Sequence, residues 1–506
     1  MPQKNSALGP DRIPVIVGVG EIVDRPTRAV DGLEPCELMA RALERADMDA
    51  EGGWLDAIDA LDVVHSVSWP YQDPLGVLTA RLGIDPRHQF YGPIGGETPI
   101  RFLHEAACRI ASGQSEVAAV CGGEAEYTVR LARRESVELA WQPRASAWQK
   151  PRDRSYLHPL ARAHGLDQPV FVYPLYEVAC EAAWGQTPAQ GQRESAELWA
   201  GLSRIAADNP HAFLRQARSA EEIATVSPSN RPIAWPYSKL MVANPVVNQG
   251  AAVIVTSLAR ARAAGIPEHR LVHIGPGAAA NEPRDWVSRE NYRESHAQDK
   301  VLSDVMAQCA LTGAETDFVE LYSCFPCVPK MARRALSMPA DRPISVTGGL
   351  TFFGAPLNNY MAHALCAMVG QLRAKPVACG LVYGQGEFVT KHHALMLGGG
   401  SRSWPDEAYS PDRAVAQQMP ATAPVIASDA VGSVHVETST VLFDRQGKPT
   451  HGVVVGLTGS HARTLARVPA SDPHGIDALM RTDRSPVGRM AILRKADDGL
   501  LECALD

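Results

Sequence analysis

What this chain lacks narrows it first. It has no dense run of Lys or Arg and a net charge of −7, which argues against nucleic acid or an anionic membrane as a partner. No apolar stretch reaches the roughly 18 residues that a membrane-spanning helix needs. Residues 1–11 are polar, without the apolar core of a secretory signal. Cys503-Ala504-Leu505-Asp506 has the outline of a prenylation box but ends on the wrong residue. Both features predict a cytoplasmic chain with a plain C-terminus. Walker A, HExxH and GxSxG motifs are absent, and Gly18-Val19-Gly20 lacks the third glycine of a dinucleotide fingerprint. The ten cysteines give no disulfide framework. Cys36, Cys108, Cys121, Cys180, Cys309, Cys366 and Cys379 lie in apolar runs, as reduced, buried thiols do. The single CxxC, Cys324-Phe325-Pro326-Cys327, has no second pair and no nearby His. It reads as buried thiols or a redox pair, not as a metal site.

What is present is an ordinary globular composition. The 506 residues are 45% hydrophobic and 21% charged, with 41 Gly and 38 Pro, enough for several compact units. Two glycine-marked stretches organise them: Gly95-Gly96-Glu97-Thr98-Pro99 and Gly348-Gly349-Leu350-Thr351-Phe352-Phe353-Gly354-Ala355-Pro356. Each precedes a periodic helix that leads into a glycine-punctuated strand. Ahead of the first, Val15-Ile16-Val17 predicts a buried strand, and Leu38, Met39, Ala42, Leu43 and Ala46 recur at helical spacing behind Pro35. A strand over 61–67 and a short helix over 77–82 follow. Phe102, Leu103, Ala106, Ala107 and Ile110 mark one face of the next helix, and 116–121 predicts a strand ending at Gly122-Gly123. The same order returns later: helix 301–311, strand 317–322, helices 326–336 and 358–372, and a strand over 377–382 that breaks at Gly384-Gln385-Gly386. Strands alternating with helices predict parallel sheets covered on both faces, and the repetition predicts a duplicated α/β fold.

Residues 125–237 interrupt this pattern. They are rich in Arg, Trp, Pro and Gln, carry helices near 174–184 and 194–207, and predict a lid over a substrate site. The expected division is therefore 10–124 with 238–275 as the first half, 125–237 as the insertion and 276–400 as the second half. A polar linker, 401–424, then leads to a separate β domain over 425–506. There, short alternating strands and a hairpin turn at Asp444-Arg445-Gln446-Gly447 predict a small OB-like barrel.

Four features together resemble the thiolase superfamily over roughly residues 10 to 400. They are Asn248-Gln249-Gly250-Ala251-Ala252, the strand end Glu320-Leu321-Tyr322-Ser323-Cys324-Phe325, the paired glycine turns and the Gly354-Ala355-Pro356 tract. The appended β domain is similar to that of its thiolase-like protein type 1 branch, beside the sterol-carrier-type acetyl-CoA acetyltransferases. The resemblance implies five α-β-α-β-α layers and a coenzyme A thioester as substrate or ligand, with no other cofactor. It leaves dimer and monomer both open. It also implies a cysteine nucleophile at a helix N-terminus, at or beside Glu97, a histidine where Ala355 stands, and a cysteine in the turn of Val382-Tyr383-Gly384. None of these is present, although Cys379 lies three residues upstream of the third. Without a thiolate there is no acyl-enzyme by the usual route.

The residues near those positions become the candidates. Glu97 is a first-turn carboxylate favoured by the helix dipole, or a base. Tyr322 is a hydrogen-bond donor to a thioester or a packing aromatic. Tyr360 and His363 are three apart on one helix face, and His363 is a core histidine or the nearest imidazole to the vacated histidine position. Cys324 is a structural thiol or the one thiol near the centre. His392 and His393 point to opposite faces of a strand, so at most one reaches a site. Gly96, Asn248, Gly349, Gly354, Gly384 and Gly386 are expected to shape the substrate site. The leading expectation is acetyl-CoA acyltransferase-type activity in lipid or sterol metabolism. The alternatives are retro-aldol cleavage of a β-hydroxyacyl-CoA by Tyr and His groups, and a non-catalytic binder of CoA esters.

Overall fold

Val15-Ile16-Val17 and Val253-Ile254-Val255 are fully buried. Their strands are apolar on both faces, as strands sandwiched between helical layers must be. The computed structural model that places them describes residues 8–145, 154–400, 402, 404–420 and 422–505. Asp506, on which the reading of the C-terminal tetrapeptide turns, lies outside the described residues. The first half contains β1 (Pro14–Val23), α1 (Pro35–Asp49), β2 (Ala60–Val63), β3 (His88–Tyr91), α2 (Thr98–Ser112) and β4 (Val117–Ala125). The insertion contributes α3 (Pro169–Ala183) and α4 (Pro188–Asp208), and the first half closes with β5 (Asn248–Ser257). The second half holds β6 (Val272–Asn281), α5 (His296–Cys309), β7 (Phe318–Leu321), α6 (Cys327–Ala335), α7 (Tyr360–Ala374), β8 (Cys379–Gly386) and β9 (Lys391–Gly399).

The strands lie in the order β3-β2-β4-β5-β1-β6-β9-β8-β7. β2 is parallel to β3 and β4, while β5 runs antiparallel to β4 and β1. In the second half β7 is parallel to β8, and β9 runs antiparallel to β8 and β6. The quartets β2-β4-β5-β1 and β7-β8-β9-β6 thus repeat one order with one set of directions. They meet where β1 pairs with β6 at Val15↔His273 and Ile16↔Val272. Helices α2 and α7 pack on each other and on strands of both halves, whereas α1 covers the outside of the first half and α5 that of the second. This is the duplicated α-β-α-β-α stack.

Three expectations are corrected. The sheets are mixed, not parallel, because β5 and β9 return antiparallel between parallel neighbours. β6 was not legible as a strand, and the expected boundary at 275/276 falls inside it. Its run is interrupted by Gly275-Pro276-Gly277, which reads as a breaker. The ladder slips there, between Leu395↔Gly277 and Leu397↔Ile274, so Pro276 sits at a bulge where no N–H is needed. Finally, Gly122-Gly123 lies within β4 and does not end it, whereas Gly384-Gln385-Gly386 forms the last three residues of β8, where the strand does break. A Cβ on Gly384 would stand 3.0 Å from the Met361 side chain and 3.1 Å from Glu97 Cα, so bare backbone lets both central helices approach the strand.

The insertion helices begin earlier than expected, each with a proline in its first turn, and Thr187 with Gln190 forms a capping box for α4. Tyr173, Tyr176 and Trp199 from these helices are buried in the same core as the second half. The C-terminal strands β10 (Gly432–Phe443), β11 (Pro449–Thr458), β12 (Arg463–Pro469), β13 (Met490–Lys495) and β14 (Leu501–Leu505) run β11-β12-β14-β13-β10. Pairing of β10 with β11 closes a five-stranded barrel. The barrel does not stand apart as expected. β10 packs on α3, Thr438 Oγ1 donates to the Leu175 carbonyl at 2.5 Å, and Leu442, Val453, Val455 and Leu465 join the main core. Among the described residues no helix is long and apolar enough to cross a membrane. All ten cysteines are free, and all but Cys309 are buried.

Candidate functional site

A cleft of about 1140 Å³ opens where the two halves and the insertion meet. The turn before α2 supplies Gly95 and Gly96 to its wall, and the segment after β7 supplies Tyr322, Cys324 and Phe325. The end of β8 supplies Gln385 and Gly386, the turn after it Glu387 and Phe388, the start of β9 Lys391, and α3 Tyr173. The position facing the cleft at the start of α2 is Gly96, not Glu97. A Cβ on Gly96 would overlap the Tyr322 hydroxyl and the Gln385 carbonyl oxygen. The tyrosine hydroxyl therefore fills the volume that a side chain at the mouth of this helix would take. Tyr322 is held from behind: its N–H donates to the Tyr383 carbonyl at 3.0 Å, and its ring meets the Tyr360 ring edge-on at 5.8 Å.

Asn358 ties this corner together. Its Oδ1 accepts from the Gly95 N–H at 3.1 Å, and its Nδ2 donates to the His65 carbonyl at 2.8 Å. His65 lines the cleft just beyond the carboxyl end of β2. Burial lowers its pKa, so it is a neutral imidazole at neutral pH, and its Nε2 has no hydrogen-bond partner. Cys324 receives a hydrogen bond from Gln385 Nε2 at 3.2 Å, and the same amide donates to the Tyr173 hydroxyl at 2.7 Å. Burial pushes the Cys324 thiol up to about 12, so it stays protonated. At the rim Glu387 is held by Arg284, with contacts of 2.6 and 2.9 Å, and by Lys391 at 3.1 Å.

Of the residues proposed from the sequence, Gly96, Tyr322, Cys324 and Gly386 meet at the cleft; the others do not line it. Glu97 is the N-cap of α2, and its side chain makes no cap hydrogen bond. Its carboxyl tucks beneath Gly95 and Gly386, where burial raises its pKa and leaves Oε2 without a partner. Tyr360 is buried behind the cleft and bonds Glu320 and Thr347 at 2.6 Å each. His363 pairs with Glu21 at 2.7 Å in the core between the halves. Asn248 ties β5 to Thr128 and Asp24. Gly349 and Gly354 pack against Leu202 and Gln249, and Gly384 against Met361. His392 and His393 do turn to opposite faces, toward Tyr383 and His104 respectively. The sequence reading missed His65, Asn358 and Gln385. His65 had one signal, its place after the apolar run Leu61 to Val64 at a strand's carboxyl end, where α/β clefts open.

The layered core with paired glycine turns is the thiolase fold. A structure of human mitochondrial 3-ketoacyl-CoA thiolase in complex with CoA matches it with a TM-score of 0.56 at 12% identity, over 77% of this chain and 98% of that one. The Ltp2-ChsH2(DUF35) aldolase gives 0.60 at 18% identity, over 78% and 100%. A monomeric SCP2-thiolase-like protein type 1 from Mycobacterium smegmatis gives 0.80 at 26% identity, over 98% and 99%. Residues 415–498 match the family described as the thiolase-like protein type 1 additional C-terminal domain. Core and barrel together are similar to a thiolase-like protein of type 1 carrying that additional domain. Among curated proteins none matches it by sequence.

Proposed function

We propose that the cleft binds an acyl-coenzyme A thioester and cleaves a β-hydroxyacyl chain between Cα and Cβ, without an acyl-enzyme. The observation that carries this reading is the Tyr322 hydroxyl filling the space in front of Gly96. Acetyl-CoA acyltransferase-type chemistry, the first expectation, needs a thiolate; here the helix mouth carries a glycine and the cleft thiol, Cys324, is protonated. A retro-aldol step needs only an acid and a base. His65, whose Nε2 is buried and unpartnered until the ring turns to the ligand, takes the proton of the β-hydroxyl, the Cα–Cβ bond breaks, and a carbonyl product leaves a thioester enolate. Tyr322 donates to the enolate oxygen, which gains negative charge as the bond breaks. The imidazolium of His65 returns its proton to Cα, releasing the shortened thioester. Arg284 and Lys391 at the rim supply positive charge for the phosphates of coenzyme A.

The fold shared with a CoA-bound thiolase and with an aldolase motivates this choice of ligand and reaction. Calorimetry with CoA and with 3-hydroxyacyl-CoAs, alongside detection of the released aldehyde or ketone, tests it. Binding with release supports the proposal. Binding without release of any carbonyl product would leave a non-catalytic binder of CoA esters, and turnover of 3-ketoacyl-CoA with free CoA would restore acyl transfer.

A further inference from the structure

We propose that the C-terminal barrel braces the cleft wall from behind, and that Arg463 is the positioning residue through which it acts. The inference rests on the cleft being the ligand site. The turn between β8 and β9 carries Glu387 and Phe388 into the cleft and leads to Lys391 at its edge. Two residues of this turn, Glu387 with φ 59 and Val389 with φ 60, are left-handed without being glycine. For a β-branched valine that conformation is strained, and it persists only where the surroundings impose it.

Three consecutive carbonyls of the turn are clamped by side chains. The Tyr173 hydroxyl donates to Glu387 at 2.8 Å, the Tyr176 hydroxyl to Phe388 at 2.7 Å, and Arg289 Nη1 to Val389 at 2.7 Å. Both suppliers of these clamps are gripped by the barrel. Thr438 on β10 bonds the backbone of α3, which carries the two tyrosines. Arg463 on β12, wholly inaccessible to solvent, donates to the carbonyls of Val287, Arg289 and Glu290, the loop that carries Arg289. Its guanidinium is completed by a two-point pair with Glu437 at 2.7 and 2.8 Å. A planar, five-donor group suits three carbonyls and a carboxylate at once; an ammonium offers three donors and no fork. The barrel thus fixes the loop, the loop fixes Arg289, and Arg289 with the lid tyrosines holds the strained turn in the form that presents Glu387 and Lys391 to the cleft.

The test uses the full chain and the variants Arg463→Met, Arg463→Lys and, as a control, Leu493→Ala, which hollows the barrel core without removing the Arg463 contacts. Amide hydrogen exchange without ligand should rise at residues 387–391 in Arg463→Met, less in Arg463→Lys, and remain as in the parent in Leu493→Ala. Calorimetry with CoA and with acetoacetyl-CoA should show affinity about tenfold weaker for Arg463→Met, the scale of one lost charge-assisted hydrogen bond. Unchanged exchange at 387–391 in Arg463→Met overturns the proposal, as does an equal rise in Leu493→Ala. If the parent binds neither compound, the reading of the cleft as a CoA site fails, while the exchange experiment still decides whether the barrel holds the turn.

Discussion

The two halves of the sheet carry the same strand order and the same device, a glycine turn feeding a central helix, yet they put it to different uses. In the first half the turn faces the cleft: Gly95 and Gly96 line it, and the missing side chain at Gly96 gives its room to Tyr322. In the second half the glycines are absorbed by packing. Gly348, with φ 109, lies against the α4 backbone, where a Cβ would stand 2.6 Å from Ala206 N. Only Leu350 and Ala355 of that stretch reach the cleft. A duplicated motif therefore marks a duplicated fold, and only in the first copy do the glycines of the turn remain open to the cleft.

The sharpest way to break this comparison is Tyr322→Phe. It should lower carbonyl release by roughly 10²–10⁴-fold, the usual range for one acid–base group, while CoA affinity stays within about threefold. An unchanged rate removes Tyr322 from the reaction. Gly348→Ala should do the reverse. The left-handed backbone and the contact with α4 predict a loss of about 3 kcal/mol in denaturant unfolding, with the affinity of the folded protein retained. A drop in affinity with no loss of stability would put the second turn in the site after all.

The pH dependence of stability probes the polar cluster behind Tyr322. Glu320 is fully buried and held by Tyr360, Ser345 and the backbone at Val346 and Thr347. Burial outweighs these donors and raises its pKa from 4.5 to about 7. Between those values the unfolded chain has lost the proton that the folded chain still binds. Stability from this group is therefore complete below pH 4.5 and is lost as pH rises through 7, by about 3 kcal/mol in all. Glu320→Gln should remove that part of the slope in urea titrations from pH 4 to 8, and an identical slope in the variant contradicts the assignment. The smallest effect is expected of Cys324→Ala. Since the thiol is protonated and serves packing, carbonyl release should stay within about threefold, far below the loss that removal of a nucleophile causes. A loss of a hundredfold or more would make it the nucleophile.

Much of the architecture was legible in the sequence because it is local. Apolar runs marked strands inside 14–23 and 117–125, helical spacing gave α1 and α2, and prolines marked first turns. What stayed hidden depended on partners distant in sequence. The strand 272–281 contains Gly-Pro-Gly and is a strand only because a bulge opposite Leu395 and Leu397 accommodates the proline. The four residues His88–Tyr91 are too few for a pattern. At the site, Gly96, Tyr322, Cys324 and Gly386 line one cleft. The sequence reading placed Tyr360 and His363 near the chemistry because helix periodicity tells which residues share a face, not what that face meets: here Glu320 and Glu21.

By itself the sequence determined the duplication, the glycine turns, the absence of Cys and His at their usual positions, and the barrel, since each rests on residue type and short spacing. Only the tertiary structure decided that Gly96 and not Glu97 faces the cleft, that Tyr322 fills the space before it, that His65 joins them, and that Arg463 ties the barrel to the loop carrying Arg289. Those facts depend on which side chains the crossing of two half-sheets brings within a few ångströms, and no local propensity carries that information.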